Sequence, residues 1–168
     1  LYVTNGTNII DGISSLADLI DPSTSFGRPS AAVTAQQVGN LFDNNADTIS
    51  DFRLGGNGAG GYITFDFKFG GSVALTGVDI LARQDGYYTR INGTRIQASQ
   101  DNQNWITISS SAISTNEWQA LTINDPQHYR YIRIYNSSSW FGNMAEVKFH
   151  GSHRGPVDLI STVGLSSA

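Results

Sequence analysis

An antiparallel β-sandwich or barrel is the fold class that this 168-residue sequence predicts. About seven short stretches rich in β-branched and aromatic residues follow one another, with turn signals between them, as in an all-β domain. Eighteen glycines, abundant Asn, Ser and Thr, and only two lysines fit short strands joined by tight turns. Hydrophobic residues make up 39% and aromatics 11%, enough for one domain with a sizeable core and too many for a disordered chain.

Residues 1–39 show no clear strand alternation. Within them, Ile13 to Ile20 reads as a short helix, with Asp11 as N-cap and Pro22 just beyond its end. From Tyr62 the pattern changes. Ile63, Phe65 and Phe67 alternate with Tyr62, Thr64 and Asp66, as in a half-buried strand. Leu75 to Ala82 is a second strand. Thr94 to Ser99 is a third and follows the turn dipeptide Asn92-Gly93. The polar cluster Asp101 to Asn104 leads into Trp105 to Ile108, so these two strands form a hairpin. Trp118 to Ile123 follows. Tyr129 to Tyr135 carries the strongest strand signal, and Ala145 to His150 closes the series. Trp105 and Trp118, lying on strands, are expected in the core. The division this implies is an N-terminal extension with the first strand or strands over 1–39, a core over 40–151, and a linker over 152–168. Gly155-Pro156 and a run of small polar residues mark that linker. Leu1 to Gly6 reads like the middle of a longer chain.

Several function classes are disfavoured. A net charge of −4 argues against nucleic acid, which needs clustered Lys and Arg, and there is no polybasic stretch for an anionic membrane. The absence of cysteine excludes disulfides, thiolate metal sites and a cysteine nucleophile. No apolar run is long enough for a membrane helix. His128, His150 and His153 have no metal-ligand spacing. Glycoside hydrolysis needs two carboxylates across a cleft, and the chain has only two glutamates, Glu117 and Glu146. It also lacks a Gly-x-Ser-x-Gly elbow, a phosphate loop and a His-Glu-x-x-His motif. The chain is expected not to be an enzyme.

Two oxygen-bearing stretches stand at opposite ends of the core: Asn40-Leu-Phe-Asp43-Asn-Asn45-Ala-Asp47-Thr48, and Ala145-Glu146. Carboxylates, hydroxyls and free carbonyls are the hard ligands that Ca²⁺ prefers. If the stretches meet, one ion ties the first loop to the last strand, and closing so long a loop stabilises the fold. The plain alternative is an Asx-type turn beside an edge-strand glutamate.

The ordered set Leu41-Phe-Asp43-x-x-x-Asp47-Thr48, Tyr62-Ile-Thr-Phe-Asp-Phe67, Arg83, Ile96-Gln-Ala-Ser99-Gln-Asp101-x-x-x-Trp105, Tyr129-Arg-Tyr-Ile-Arg-Ile134 and Asn143-Met-Ala-Glu146-Val resembles the F5/8 type C (discoidin) superfamily. The resemblance is nearest to the bacterial family 32 carbohydrate-binding modules and spans roughly Asn40 to Gly151. It implies an eight-stranded antiparallel jelly-roll sandwich of the galactose-binding-domain type, one structural Ca²⁺, and a ligand site in the loops at one end. By the family pattern Asp43 and Glu146 supply carboxylates and Thr48 its hydroxyl and carbonyl. Asn40, Asn45 and Ala145 supply backbone carbonyls.

Sugars are held by aromatic faces against C–H faces and by directed hydrogen bonds from charged or amide groups. The loops here carry both. The candidates are Asp51 and Arg53 after the first loop, then Arg83, Tyr87, Tyr88 and Arg90 between two strands. Trp140, Phe141 and Asn143 precede the last strand. An exposed binding role is expected of at least one of Trp140 and Phe141. The function implied is a monomeric, non-catalytic module that targets a covalently linked polysaccharide-degrading enzyme to a polysaccharide or oligosaccharide. A neutral glucan or a relative is the favoured ligand, and the setting is secreted, extracellular and bacterial. The rivals are an adhesion module that binds a cell-surface or protein partner, and a structural spacer.

Overall fold

A computed structural model describes residues 16–21, 35–51, 59–140 and 142–154. Two antiparallel sheets make up the domain. One has the strand order β1-β6-β3-β4, the other β5-β2-β7. The strands are β1 (Ala59–Asp66), β2 (Val73–Ala82), β3 (Arg95–Ser99), β4 (Ile106–Thr107), β5 (Gln119–Thr122), β6 (Tyr131–Ser139) and β7 (Met144–His153). The described residues thus hold seven strands where eight were expected. The predicted 94–99/105–108 hairpin forms as β3 against β4, with Gln97 opposite Thr107.

Several elements depart from expectation. Of the helix foreseen over 13–20, the described part is a single 3-10 turn, Leu16–Leu19. The one α-helix among the described residues is α1 (Ala35–Asn40), just ahead of the oxygen-rich loop. β7 continues to His153, past the boundary drawn at 151, because Val73 and Ala74 of β2 still pair with His153 and Ser152. The remaining residues of the predicted linker, from 155 on, lie outside the described residues.

The core fills the space between the sheets. Ile63, Phe65, Val78, Ile80, Ile96, Ile132 and Ile134 are fully buried there. Burying a side chain of this size is worth about 1.5–3 kcal/mol relative to leaving it in water. Phe149 of β7 joins the layers, with its ring centroid 5.4 Å from those of both Phe65 and Phe67. The outer face of β1 is covered at Thr64 and Asp66, while Tyr62 is half-buried. Asp66 is buried and takes a bidentate contact from Arg130 at 2.9 and 3.1 Å. The sequence alternation alone assigns Asp66 to solvent.

The end of β1 passes close under Trp140. A Cβ placed on Gly61 would lie 2.1 Å from the Trp140 carbonyl oxygen, at the register shift between Ala59 and Gly61. Backbone must move to admit even a methyl group. Gly61→Ala is therefore expected to cost about 1–3 kcal/mol, the range of overpacking. Chemical denaturation would show this as a lower midpoint with an unchanged slope.

Candidate functional site

The first loop is pinned to β7 at two points. The Val147 N–H donates to the Leu41 carbonyl at 2.9 Å, and the Ser50 N–H donates to the Met144 carbonyl at 2.9 Å. Between these pins the chain turns through Asn44, whose φ of 56° is the left-handed conformation that Asn tolerates. The turn presents two backbone donors to Glu146. The Asn44 N–H reaches Oε2 at 3.2 Å and the Asn45 N–H reaches Oε1 at 3.1 Å. Asp43 accepts from the Asn45 N–H at 2.9 Å and from the Thr48 hydroxyl. Asn40 closes the loop by donating its amide to the Ile49 carbonyl at 3.0 Å. Asp47 donates its N–H to Asn45 Oδ1 at 2.9 Å, a local loop bond.

Four of the six residues in the implied cation set, Asp43, Asn45, Thr48 and Glu146, thus meet. Asn40 and Ala145 flank them on the adjoining backbone, with Ala145 buried in β7. The Asx turn of the plainer reading is present too, and the same residues serve both. Glu146 is 3% exposed and lies against the Asp43 carboxyl. Burial first, then the neighbouring Asp43, pushes Glu146 up to about 7. The Glu146 hydrogen bond, ahead of Thr48 and the Asn45 N–H, holds Asp43 below the usual aspartate range. Two carboxyl groups in contact, one of them buried, share a proton or need a cation. Among the described residues no three Asp, Glu, His or Cys side chains gather, so a cation here needs hydroxyl and carbonyl oxygens as well. Hard oxygens of that kind fit Ca²⁺.

A pH dependence follows for the cation-free chain. Between the ordinary glutamate range and about 7, folded Glu146 keeps its proton while the unfolded chain has lost it. The folded state binds more protons there, so stability falls as pH rises. The contribution is complete below the unfolded glutamate range and is lost through about pH 7. Melting temperatures in EDTA are expected to drop from pH 5 to pH 7.5, by an amount that Glu146→Gln removes.

The second group of candidates gathers at one end of the sandwich. Ser50 and Ala82 both stand opposite Met144. Asp51, Arg83 and Asn143 are each the next residue outward, so they form a row across three chain segments. Arg83 is half-buried and grips Asp85 with Nε at 2.8 and 2.9 Å and Nη2 at 2.6 Å. Its Nη1 is buried with no hydrogen-bond partner among the described residues. Asn143 is 1% exposed, and neither its Oδ1 nor its Nδ2 has a hydrogen-bond partner among the described residues. Tyr87 is 54% exposed, its ring centroid 4.4 Å from Cζ of Arg90 and 5.2 Å from Cζ of Arg83. Tyr88 packs partly against the core, so one tyrosine of the pair faces solvent, as expected. Asp51 is half-buried and accepts at its carbonyl from Gln37 Nε2, 2.7 Å away. Arg53 and Phe141 lie outside the described residues.

One expectation fails, and another is narrowed to Phe141, which lies outside the described residues. Trp140 is 1% exposed and plugs the end of the core, so it offers no stacking face. A large ring directly after β6 is better buried than left in water, and Gly61 makes room for its backbone. Trp118 is 43% exposed where a core position was expected, and Lys148 Nζ sits 4.6 Å from its ring centroid. Strand parity carried that signal. Leu121 faces inward, and Trp118 shares its side with exposed Ala120 and Thr122. Trp105 is likewise half-buried on an outer face, in line with Thr107.

Comparison with known proteins bears on the family and the fold. The F5/8 type C domain model matches residues 23–147. No curated protein sequence matches the chain. Among solved structures, a CBM62 from Clostridium thermocellum Xyl5A superposes with a TM-score of 0.63 at 22% identity, covering 79% of this chain and 96% of that one. The Clostridium perfringens module CpGH89CBM32-5, solved with GalNAc-β-1,3-galactose, superposes at 0.60 with 16% identity, covering 82% and 100%. The CBM32 of AlyQ, solved with 4,5-unsaturated mannuronic acid, superposes at 0.53 with 25% identity, covering 77% and 95%. These likenesses concern the sandwich.

Proposed function

The chain belongs to the F5/8 type C domain family and has the discoidin-type fold of carbohydrate-binding modules, and from that premise we propose that it is a non-catalytic module binding a neutral glycan at the loop end. The observation that carries the reading is the row of Arg83 and Asn143, whose Nη1, Oδ1 and Nδ2 are buried with no partner among the described residues, beside the exposed ring of Tyr87. A buried polar atom left unpaired costs about 1–3 kcal/mol, and sugar hydroxyls offset that by donating to Asn143 Oδ1 and accepting from Nδ2 and Arg83 Nη1. Tyr87 supplies the face on which a pyranose stacks. Because Asp85 already neutralises Arg83, the free guanidinium edge favours a hydroxyl over a carboxylate. That supports a neutral sugar, as does the net charge of −4.

In this reading the module works by targeting. A shallow loop site gives modest affinity, and linkage to a polysaccharide-degrading catalytic domain outside the cell turns that affinity into high effective substrate concentration. A Ca²⁺ ion held by Asp43, Glu146, Thr48 and the carbonyls of Asn40, Asn45 and Ala145 supplies fixed positive charge that ties loop to strand. The loop end is separate from it and needs no metal chemistry.

The deciding variant is Asn143→Ala. Its expected result is at least fivefold weaker retardation in gels containing neutral glycans, with a melting temperature equal to or above that of the parent, because a buried unpaired amide has been removed. Tyr87→Ala is expected to weaken binding to the same degree through lost stacking. Unchanged binding in both variants, with a binding parent, would move the site elsewhere. A parent that binds no neutral glycan in a broad panel would end the reading.

A further inference from the structure

We propose that the outer face of the four-stranded sheet is a second saccharide surface, built for a sugar that carries a carboxylate or sulfate, with Arg95 and Arg133 as its anion-binding pair. Strand register places the groups. Tyr62, Tyr135 and Arg95 stand opposite one another in one row, and Thr64, Arg133, Gln97 and Thr107 in the next. Their chain neighbours Ile63, Ile134 and Ile96 point into the core, so these residues share the outward face. The guanidinium carbon of Arg133 lies 4.3 Å from the Trp105 ring centroid, 4.7 Å from Tyr62 and 5.1 Å from Tyr135. That of Arg95 lies 5.3 Å from Tyr135. The two arginines and these three rings are half-buried.

The charge balance on this face selects the ligand. Arg130 has its carboxylate in Asp66, and Arg83 at the loop end has its own in Asp85. Among the described residues Arg95 and Arg133 have no carboxylate partner. Arg133 donates, among the described residues, only through Nε, to Gln97 Oε1 at 2.7 Å, and Gln97 is itself oriented by donating to Thr107 Oγ1 at 3.1 Å. The Nε of Arg95 is buried with no hydrogen-bond partner among the described residues. Ring contacts attract a guanidinium but accept none of its in-plane hydrogens, so the forks that match a carboxylate or sulfate stay available. The rings of Trp105 and Tyr62 beside Arg133 suit the C–H face of a pyranose better than an extended acidic peptide. This surface lies on a sheet face rather than in the loops. It does not depend on the neutral-glycan reading.

Affinity electrophoresis of the whole chain tests the proposal, in gels containing polygalacturonate, fully methyl-esterified pectin, dextran sulfate or poly-glutamate. The expected result is retardation by polygalacturonate or dextran sulfate, which of the two binds telling carboxylate from sulfate. Migration in the methyl ester and in poly-glutamate is expected to be unaffected. The Arg95→Gln/Arg133→Gln double variant should lose at least tenfold in affinity for the acidic polymer, while Asn143→Ala keeps full retardation. No retardation of the parent by either acidic polysaccharide would overturn the proposal. Equal retardation by poly-glutamate would reduce the face to a non-specific positive patch, and retention of binding in the double variant would move the anion elsewhere. Should the double variant fail to fold, the indole N–H resonance of Trp105 in the parent reads the same site. A shift on adding trigalacturonate supports the proposal, and shifts confined to the 83–90 and 142–143 loops overturn it.

Discussion

Stripping divalent cations with EDTA is expected to lower the melting temperature by roughly 5–11 °C, and added Ca²⁺ should restore it. The magnitude follows from linkage. A ligand bound only by the folded state at about a hundred times its Kd contributes about 2.7 kcal/mol, and for a chain of this size each kcal/mol moves Tm by about 2–4 °C. The cause is local: two carboxyl groups meet at one edge, with Glu146 buried and pushed up to about 7. At neutral pH without a cation, the pair meets only by holding a proton or by tolerating repulsion. Asp43→Ala should melt at the same temperature with and without Ca²⁺. Glu146→Ala is a poorer probe, because it also strips the acceptor from the Asn44 and Asn45 N–H groups. Superimposed melting curves of the parent in EDTA and in Ca²⁺ would mean that the Asx turn and the Glu146 acceptor close the loop by themselves.

The legible part of this protein was the part governed by period and by turn chemistry. β1 announced itself through Ile63 and Phe65, and β3 with β4 through the polar turn at Asp101 to Asn104, where Asp101 accepts from the N–H groups of Gln103 and Asn104 at 2.9 and 2.8 Å. The meeting of Asp43 with Glu146 was readable as donor chemistry held at the two ends of one domain. What escaped depends on neighbours that no local pattern names. Asp66 reads as a solvent-facing carboxylate until Arg130, distant in sequence, arrives to bury it. Trp140 reads as a loop aromatic until Gly61 is seen to leave space beneath its backbone. Trp118 was within reach, since its parity opposes that of Leu121, but a tryptophan on a strand invites the assumption of burial. At the loop end the register of three segments sets Asp51, Asn143 and Arg83 side by side. Sequence supplied the residue types there, and only the pairing of Met144 with both Ser50 and Ala82 supplied the row.

Phe149→Ala is expected to damage stability severely, costing about 3–5 kcal/mol, or roughly 6–20 °C in melting temperature. Phe149 lies between Phe65 and Phe67 of the facing sheet region, and its ring centroid is 6.0 Å from that of Phe42. Phe42 precedes Asp43 and packs edge-on to Phe65 at 5.9 Å. The cluster therefore grips the first loop from inside the core, while the carboxyl pair grips it from the edge. These two holds differ in how they respond to solvent. Apolar packing is indifferent to chelator, so Phe149→Ala should lose its stability in EDTA as well as in Ca²⁺. Asp43→Ala should lose all of the Ca²⁺-dependent stability, and in EDTA only what its bonds to the Asn45 N–H and the Thr48 hydroxyl contribute. Phe149→Leu, which keeps most of the volume, is expected to fall between parent and alanine variant in both conditions. A loss below about 1 kcal/mol for Phe149→Ala would show that the ring cluster repacks around the gap, leaving the carboxyl edge as the main tie between the first loop and β7.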